Sequence, residues 1–508
     1  MKIGILELLG NRLNPAKPGK YINHFFARKQ YASIMPQAIS VWCRQMGHTS
    51  HYATYYGWGD PKDKLPNDLD LVFICTHSFS APLAYGLARA FQWEGTLTVI
   101  GGPHAKSYPQ DCLRYFDLVV LECDKTLIAD IVNGQFDPHN IVTSSNMLDE
   151  IPTVEERLPE IRASTFMKGR PFPGSFIPIL TSLGCPYTCD FCADWNNPYR
   201  SLSTGRLKAD LQFVSKTFSG VKLSVYDPNF GVRFDEVMTA FESIPPNRRN
   251  PYVIESSLTL LNPERVKRLH DTRCAAVLPG VESWSAYSNK AGVGQAVRHR
   301  KLDGVINQFY MLKDYIPYLG VNFILGLDID TGDEPFELTK EFLHRAPFVW
   351  PSINIPMAFG GTPLFDIFLN ENRILGTMPF TFYTIPFLMV ILKNYDPIAY
   401  FQKLVDLYTL IASHKWLKQR LAANPYLTGK AIHCLRTMVA RGRLRLIQTM
   451  LAQFQTDSHF FAFHIGETKV LPDFYAAAYT RQLGKYIELV PLAESRPILK
   501  GRTEILMS

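Results

Sequence analysis

Three thiols fall within one short run, Gly184-Cys185-Pro186-Tyr187-Thr188-Cys189-Asp190-Phe191-Cys192. The C-x3-C-x2-C spacing is compact enough for Cys185, Cys189 and Cys192 to converge on one inorganic centre. A four-iron cluster takes one external ligand per iron. The run supplies three, and the closest other cysteine in sequence is Cys123. One iron would then keep an open position for a substrate, as a catalytic metal does. A structural zinc site is the competing reading, but without a nearby fourth Cys or His the thiols make a poor closed tetrahedron. Pro186 also keeps the loop from becoming a helix that would splay them. The other six cysteines are scattered singly, which is no disulfide framework. An auxiliary cluster on Cys43, Cys75 and Cys112 is disfavoured, because Cys43 reads as helical and Cys75 as part of a strand.

Alternating elements surround this run. In residues 1–135, strands are predicted at Ile3–Leu6, His51–Tyr56, Leu69–Thr76, Leu97–Ile100 and Leu118–Leu121, with helices at Ile34–Met46 and Ala81–Phe91. Such alternation implies a parallel, doubly wound (Rossmann-like) α/β sheet, which binds ligands beyond the carboxyl ends of its strands. Residues 136–174, rich in proline and charge, read as a linker. Residues 175–360 hold six further strands, near Ile177–Thr181, Lys222–Tyr226, Val253–Ser257, Ala275–Pro279, Gly320–Leu325 and Ser352–Met357. They predict a partial (β/α)6 barrel, whose chemistry belongs at the carboxyl ends of its strands. The three cysteines follow the first of these strands directly. Residues 361–508 read as a helical, aromatic cap with a basic stretch from Arg436 to Arg445.

The 508 residues leave ample volume for buried cores, with 46% hydrophobic and 19% charged residues. A formal charge of +7 is weak support for a polyanionic partner, and no block of like charge marks a nucleic-acid tail. The amino terminus runs straight into a strand without a signal-peptide layout. The longest apolar run, near Ile385–Leu392, is too short to span a bilayer. A cytoplasmic protein without transmembrane segment or nucleic-acid partner is expected.

The cysteine motif after the first barrel strand, with aromatic Phe191 before its last cysteine, resembles the radical S-adenosylmethionine (radical SAM) superfamily. That resemblance implies a [4Fe–4S] cluster on the three cysteines. Its open iron would chelate the methionine moiety of S-adenosylmethionine, and one electron would release a 5′-deoxyadenosyl radical. Tyr226-Asp227-Pro228-Asn229-Phe230 resembles the Asp-Asp-Asn-Phe segment of cobalamin-linked members, with Asp227 and Asn229 placed to orient the methionine end. Glu255 and Glu282, within Gly280-Val281-Glu282-Ser283, are similar to the family's ribose-binding positions. Gly320–Asp328 resembles its fifth strand, whose backbone faces adenine.

The amino-terminal region resembles the cobalamin-binding domain of such enzymes through Ser78–Tyr85 and Val99–Ala105. Thr76 and Ser78 would bond the nucleotide tail, and Gly101 and Gly102 would let the ligand approach the backbone. The linker segment Leu148–Pro152 and Gly360–Phe365 are also family-like. Two departures stand out. Leu9-Gly10-Asn11-Arg12 replaces the Asp-x-His-x-x-Gly that would supply a lower cobalt ligand, and His104 reads as a loop histidine. Glu122-Cys123-Asp124-Lys125 replaces a Gly-Glu-Gly-Glu loop.

The resemblance implies a cobalamin-dependent class B methyltransferase-like enzyme. It would methylate an unactivated carbon of a small molecule, with an external electron donor of flavodoxin or ferredoxin type. One S-adenosylmethionine would generate the radical and a second would remethylate cobalamin. The alternatives are a radical rearrangement or oxidative cyclisation without methyl transfer, and a non-catalytic corrinoid or redox-sensing iron–sulfur protein. The aromatics Phe380, Phe382, Tyr383, Phe387 and Tyr408 could line an apolar substrate pocket or form plain core.

Overall fold

The computed structural model describes residues 1–11, 32–144, 148–287, 291 and 296–499; Arg12 lies outside them. Two parallel sheets organise the chain. The first comprises β1 (Lys2–Leu8), β2 (Thr49–Tyr55), β3 (Leu71–Thr76), β4 (Leu97–Gly101), β5 (Leu118–Val120) and β6 (Asn140–Val142), in the order β2-β1-β3-β4-β5-β6. Central β1 and β3 are near-continuous apolar runs because helices cover both faces of the sheet. The helix Ile34–Gln45 buries Ile34, Ala38, Val41 and Trp42, a stripe at helical spacing. The strand order reverses between β1 and β3, and a crevice opens at such a switch point beyond the strand ends.

The sheet extends past residue 135. Asn140–Val142, read as linker, pairs with Leu118–Val120, so Leu118–Leu121 does not close the series. The remaining linker is folded too, with a helix at Leu158–Ser164. Arg157, just before it, is buried. It donates from Nη1 to Gln37 Oε1 (2.7 Å), from Nε to the Pro152 carbonyl (3.0 Å) and from Nη2 to the Pro178 carbonyl (3.3 Å). One guanidinium thus joins a helix of the first sheet to the first strand of the second. Burial lowers its pKa to about 10.

The second sheet begins with β7 (Phe176–Leu180). A two-stranded ribbon follows, β8 (Ser182–Leu183) against β9 (Arg200–Ser201). Then come β10 (Lys222–Tyr226), β11 (Tyr252–Ile254), β12 (Cys274–Val277), β13 (Gly280–Glu282), β14 (Tyr318–Ile324) and β15 (Val349–Asn354). The strands run β7-β10-β11-β12-β14-β15, all parallel, with β13 on the far half of β14. Strand four is therefore broken at Leu278-Pro279, where proline has no N–H for the ladder. Among the described residues β7 and β15 stay unpaired with each other, so the barrel is partial.

The cap packs on both sheets. Tyr400 Oη donates to the Leu325 carbonyl (2.6 Å) and Tyr408 Oη to the Ile353 carbonyl (3.3 Å). Returning to the first sheet, Arg114 donates to the Glu494 carbonyl (2.7 Å), and the Ile498 N–H donates to Asp111 (2.7 Å). Phe380, Phe382, Tyr383, Phe387 and Tyr408 are all buried in this packing, which favours their role as core over an open pocket. Replacing Arg157 with alanine leaves three carbonyl groups without their donor. We expect Arg157→Ala to cost roughly 2–4 kcal/mol, measured as a lower denaturation midpoint at unchanged slope.

Candidate functional site

The cysteine loop leaves β7 and is closed at its base by the β8–β9 ribbon. Gly184 opens it at φ +73°. A Cβ there would lie 2.2 Å from the Pro198 carbonyl oxygen and 2.5 Å from that of Asn197. Only glycine allows the two ends of the loop to meet. The Cys185 N–H donates to the Asn197 carbonyl (3.2 Å), and the Cys192 N–H to that of Cys189 (3.1 Å). All three cysteines are half-buried and outside any disulfide, whereas Cys43, Cys112, Cys123 and Cys274 are buried. Burial pushes Cys43 and Cys123 up to about 12, so these thiols stay protonated and inert. Among the described residues no three His, Cys, Asp or Glu side chains are placed around a single metal ion. Among the described residues no closed zinc site is assembled; Cys43 and Cys112 are buried on helices and Cys75 lies within β3, as the sequence suggests. A cluster takes one thiolate per iron and needs no common ion.

Asp190 clamps the loop from two sides. Its carboxylate accepts from Tyr287 Oη (2.5 Å) and its carbonyl from the Leu364 N–H (3.1 Å). Phe191 stacks on the Tyr287 ring, centroids 5.7 Å apart. Asp190 and Tyr287 went unrecognised in the sequence because their pairing spans two strand ends.

The other barrel candidates stand at neighbouring strand ends. Asp227, after β10, is buried and accepts from Thr181 Oγ1 (2.8 Å) and the Asn229 N–H (2.9 Å). Burial raises its pKa. Asn229 accepts from the Ser257 N–H (3.0 Å), tying the ends of β10 and β11. Its Nδ2 and the Ser257 hydroxyl are buried without a partner. Glu255, after β11, is exposed, and its carbonyl accepts from the Phe230 N–H (3.0 Å). Glu282 ends β13, buried, at φ +65°. A Cβ on Gly280 would fall 2.0 Å from Glu282 Oε1, so that glycine makes room for the folded-back carboxylate.

Behind Glu282 lie two charged groups that sequence reasoning missed. Lys301 donates to the Ser285 carbonyl (2.7 Å). Asp330 accepts from the Gly326 N–H (2.9 Å) and Ser283 Oγ (3.2 Å). Burial lowers Lys301 to about 8 and raises Asp330 to about 6. The only sequence signal was a charge beside an apolar strand or on a buried helix face.

The carboxyl edge of the first sheet faces this mouth. Glu122, after β5, pairs with Lys106 (2.8 Å) and with Arg200 of the ribbon (3.6 Å). Tyr226 Oη donates to the Ala32 carbonyl (2.9 Å), and Tyr108 Oη to that of Ala358 (2.9 Å). Gly360 packs so closely that a Cβ would lie 2.1 Å from the Ser107 carbonyl oxygen. Asp124, in the altered loop, caps the helix Lys125–Val132 by accepting from the Leu127 N–H (2.8 Å).

On this edge Thr76 Oγ1 donates to the His77 carbonyl (3.1 Å), and Ser78 Oγ bonds His104 Nδ1 (3.1 Å). A Cβ on Gly101 would make only an ordinary contact, 3.8 Å from the Val120 carbonyl oxygen. Gly102 has φ +92°, and a Cβ there would lie 2.7 Å from Cys75 Sγ. The Ser80 hydroxyl is buried without a partner. His104 is not a loop residue: Pro103 opens a helix, Pro103–Ser107, that buries it completely. Its Nε2 bonds Tyr85 Oη (2.6 Å), so both ring nitrogens are engaged and neither is offered to a metal. Burial lowers its pKa to about 3. Glu7, at the end of β1, is a further missed residue. It accepts from the Ser33 N–H (2.8 Å) and Tyr52 Oη (3.1 Å), and burial raises it to about 7. A surface groove of about 610 Å³ lined by Gln45, Lys125, Glu150 and Arg206 contains none of these groups.

The donors suit the groups expected from the sequence. Three accessible thiols at a strand end suit a cluster. The unpartnered Asn229 amide and Ser257 hydroxyl, with nearby carboxylates, suit a polar cationic ligand. The unpartnered Ser80 hydroxyl and the uncrowded Gly101 backbone suit a ligand laid along the first sheet's edge.

Residues 179–343 match the model of the Radical SAM superfamily. The chain is 24% identical over 386 residues to bacteriochlorophyllide d C-8(2)-methyltransferase of Chlorobaculum tepidum, covering 70% of this chain and 81% of that protein. It is 23% identical over 325 residues to the same organism's bacteriochlorophyllide d C-12(1)-methyltransferase, covering 61% and 69%. The structure of the cobalamin-dependent S-adenosylmethionine radical enzyme OxsB, with aqua-cobalamin and S-adenosylmethionine bound, superposes with TM-score 0.57. It covers 97% of this chain and 78% of that one at 12% identity, a likeness of fold.

Gly184→Val should block closure of the thiol loop. We expect iron and sulfide uptake after anaerobic reconstitution to fall to background, while Gly205→Ala, whose Cβ meets open space, loads normally.

Proposed function

From its radical SAM domain, which makes the chain a member of that superfamily and a radical SAM enzyme, we propose a cobalamin-dependent methyltransferase that acts on an unactivated carbon of a small molecule. One observation carries the reading: the thiol loop at the end of β7 opens toward the carboxyl edge of a second, doubly wound sheet, with Glu122 and Arg200 joining the two. Cys185, Cys189 and Cys192 would hold the [4Fe–4S] cluster. Asp227, Asn229, Glu255 and Glu282 would hold S-adenosylmethionine, and the edge formed by Thr76, Ser78, Gly101 and Gly102 would hold cobalamin. When bound, these groups supply one electron, a 5′-deoxyadenosyl radical and a transferable methyl group.

The chain's own work is positional. Asp190 and Tyr287 fix the loop against strand four, and Phe191 stacks on the Tyr287 ring. Asn229 fixes the ends of two strands relative to one another. The interdomain contacts hold the two cofactor edges around one space, which matters because a substrate radical must meet its methyl donor before it reacts elsewhere. No lower cobalt ligand comes from His104. The methylation reading draws on the relatives that methylate bacteriochlorophyllides. We also propose that residues 1–144 form the cobalamin unit, that the electron donor is a flavodoxin or ferredoxin type, and that the protein works in the cytoplasm.

Cluster-loaded enzyme supplied with cobalamin, S-adenosylmethionine, a strong reductant and fractionated host metabolites should form 5′-deoxyadenosine and S-adenosylhomocysteine in equal amounts. Cys189→Ser should form no 5′-deoxyadenosine. Deoxyadenosine without S-adenosylhomocysteine would instead indicate rearrangement or cyclisation. Failure of the loaded protein to form either product would leave only the sensor reading.

A further inference from the structure

We propose that the flank of the cap formed by the helices His414–Ala423 and Leu427–Thr456 docks on an anionic lipid bilayer. Between Asp406 and Asp457 the sequence has no acidic residue, yet it carries eight Lys and Arg. The whole chain has 46 acidic residues in 508, so a stretch this long would ordinarily hold several. Lys415, Lys418 and Arg445 are exposed, and Lys430 and Arg436 are half-buried. Among the described residues none of these five pairs with a carboxylate. Some cations elsewhere on the surface are paired: Arg268 meets Asp235 and Glu242, and Arg345 meets Asp303 and Glu341.

The apolar content of the same face sets it apart from a solvated helix. The long helix already buries an inner stripe that includes His433, Thr437, Ala440, Ile447 and Phe454. Its outward side nevertheless shows Leu427 (82% exposed), Leu435 (47%), Met438 (47%) and Val439 (56%). Ala431 and Gly442 continue this exposed stripe at helical spacing. A face turned to water is ordinarily polar. Large apolar side chains rimmed by Lys and Arg, without an acid, are the pattern of a helix lying in a bilayer interface. The cations would meet lipid phosphates while their stems rest on the apolar stripe. No described helix is long and apolar enough to cross a membrane, so the contact is peripheral.

Two other occupants fit less well. A nucleic acid would use the charges but has no place for exposed Leu, Met and Val. A second copy in a two-fold dimer would set this cationic face against itself.

The test uses the full-length protein sedimented with vesicles of phosphatidylcholine, with or without phosphatidylglycerol. We expect binding to the anionic vesicles to be at least about tenfold tighter than to the neutral ones, and to be lost near 0.5 M salt. Met438→Glu/Val439→Glu and Lys418→Gln/Arg445→Gln should each weaken binding about tenfold or more. Circular dichroism checks that each pair keeps its fold. If the glutamate pair unfolds, the glutamine pair, whose members are exposed and outside any ion pair, decides. No binding to anionic vesicles at low salt, or equal binding by a folded variant, overturns the proposal. So does a dimer in light scattering that either variant dissociates, or an oligonucleotide that displaces nothing yet binds with the same sensitivity to both variants. None of these readouts needs the cluster or S-adenosylmethionine, so they stand apart from the catalytic reading.

Discussion

Closure of the loop between Leu183 and Arg200 is the constraint on which the rest depends. Three thiols must leave one strand end and turn back within a few residues, and thiolates gathered on one centre repel each other until a cation neutralises them. The chain meets this with backbone rather than side chains. Gly184 takes a conformation that other residues rarely adopt, against carbonyl groups only 2.2 and 2.5 Å from where a Cβ would stand. The β8–β9 ribbon ties the loop's base. Asp190 then spends its carboxylate on Tyr287 and its carbonyl on Leu364, so two distant segments hold the loop's outer side.

The second requirement is that two sheets present the same ends to one space. A parallel sheet delivers all its carboxyl ends to one edge, so a doubly wound unit and a barrel need only be docked edge to edge to enclose a site. Glu122 bridges Lys106 and Arg200 across that seam. Arg157 fastens the side away from it, through Gln37 and Pro178. The cap closes the circuit, reaching Asp111 through the Ile498 N–H and packing Phe380 on the His104 ring. Substitutions at these contacts would alter the spacing of the cofactor edges without touching any cofactor.

Much of this was legible in the sequence because long apolar runs announce buried parallel strands. Ile3–Leu6, Leu69–Thr76 and Gly320–Leu325 all stand out by composition alone. The thiol loop was legible from spacing. What was hidden was short or depended on distant partners. Asn140–Val142 is too short to show a period, and its exposed start reads as linker. The β8–β9 ribbon is two residues deep on each side. Strand four hid its break because Leu278-Pro279 reads as a strand end while Gly280–Glu282 reads as a loop. His104 follows Gly-Gly-Pro, which suggests a turn, yet proline also opens helices. Its burial is decided by Tyr85 and by Phe380, far along the chain. Among the site residues, Asp227 and Asn229 were visible as a motif. Lys301 and Asp330 were not, since only the fold turns them inward behind Glu282.

Electrostatics at the barrel mouth connects the fold to its chemistry. Asp227, Glu282 and Asp330 are buried at the strand ends, and the field of the buried cation Lys301 reaches Glu282 and Asp330. Burial disfavours every charged form, so Asp227 and Asp330 are pushed up and Lys301 down. Hydrogen bonds from Thr181, Ser283 and the N–H groups of Asn229 and Gly326 offset part of that cost. Among the described residues these three buried carboxyl groups outnumber the Lys301 amine, which suits an incoming positive charge. A sulfonium donor carries such a charge. Asp227, Asn229, Glu255 and Glu282, the groups proposed to hold it, belong to strand ends already fixed by packing. The selectivity of the mouth then resides in where the fold places charge, and the thiol loop next to it decides what that charge is brought to meet.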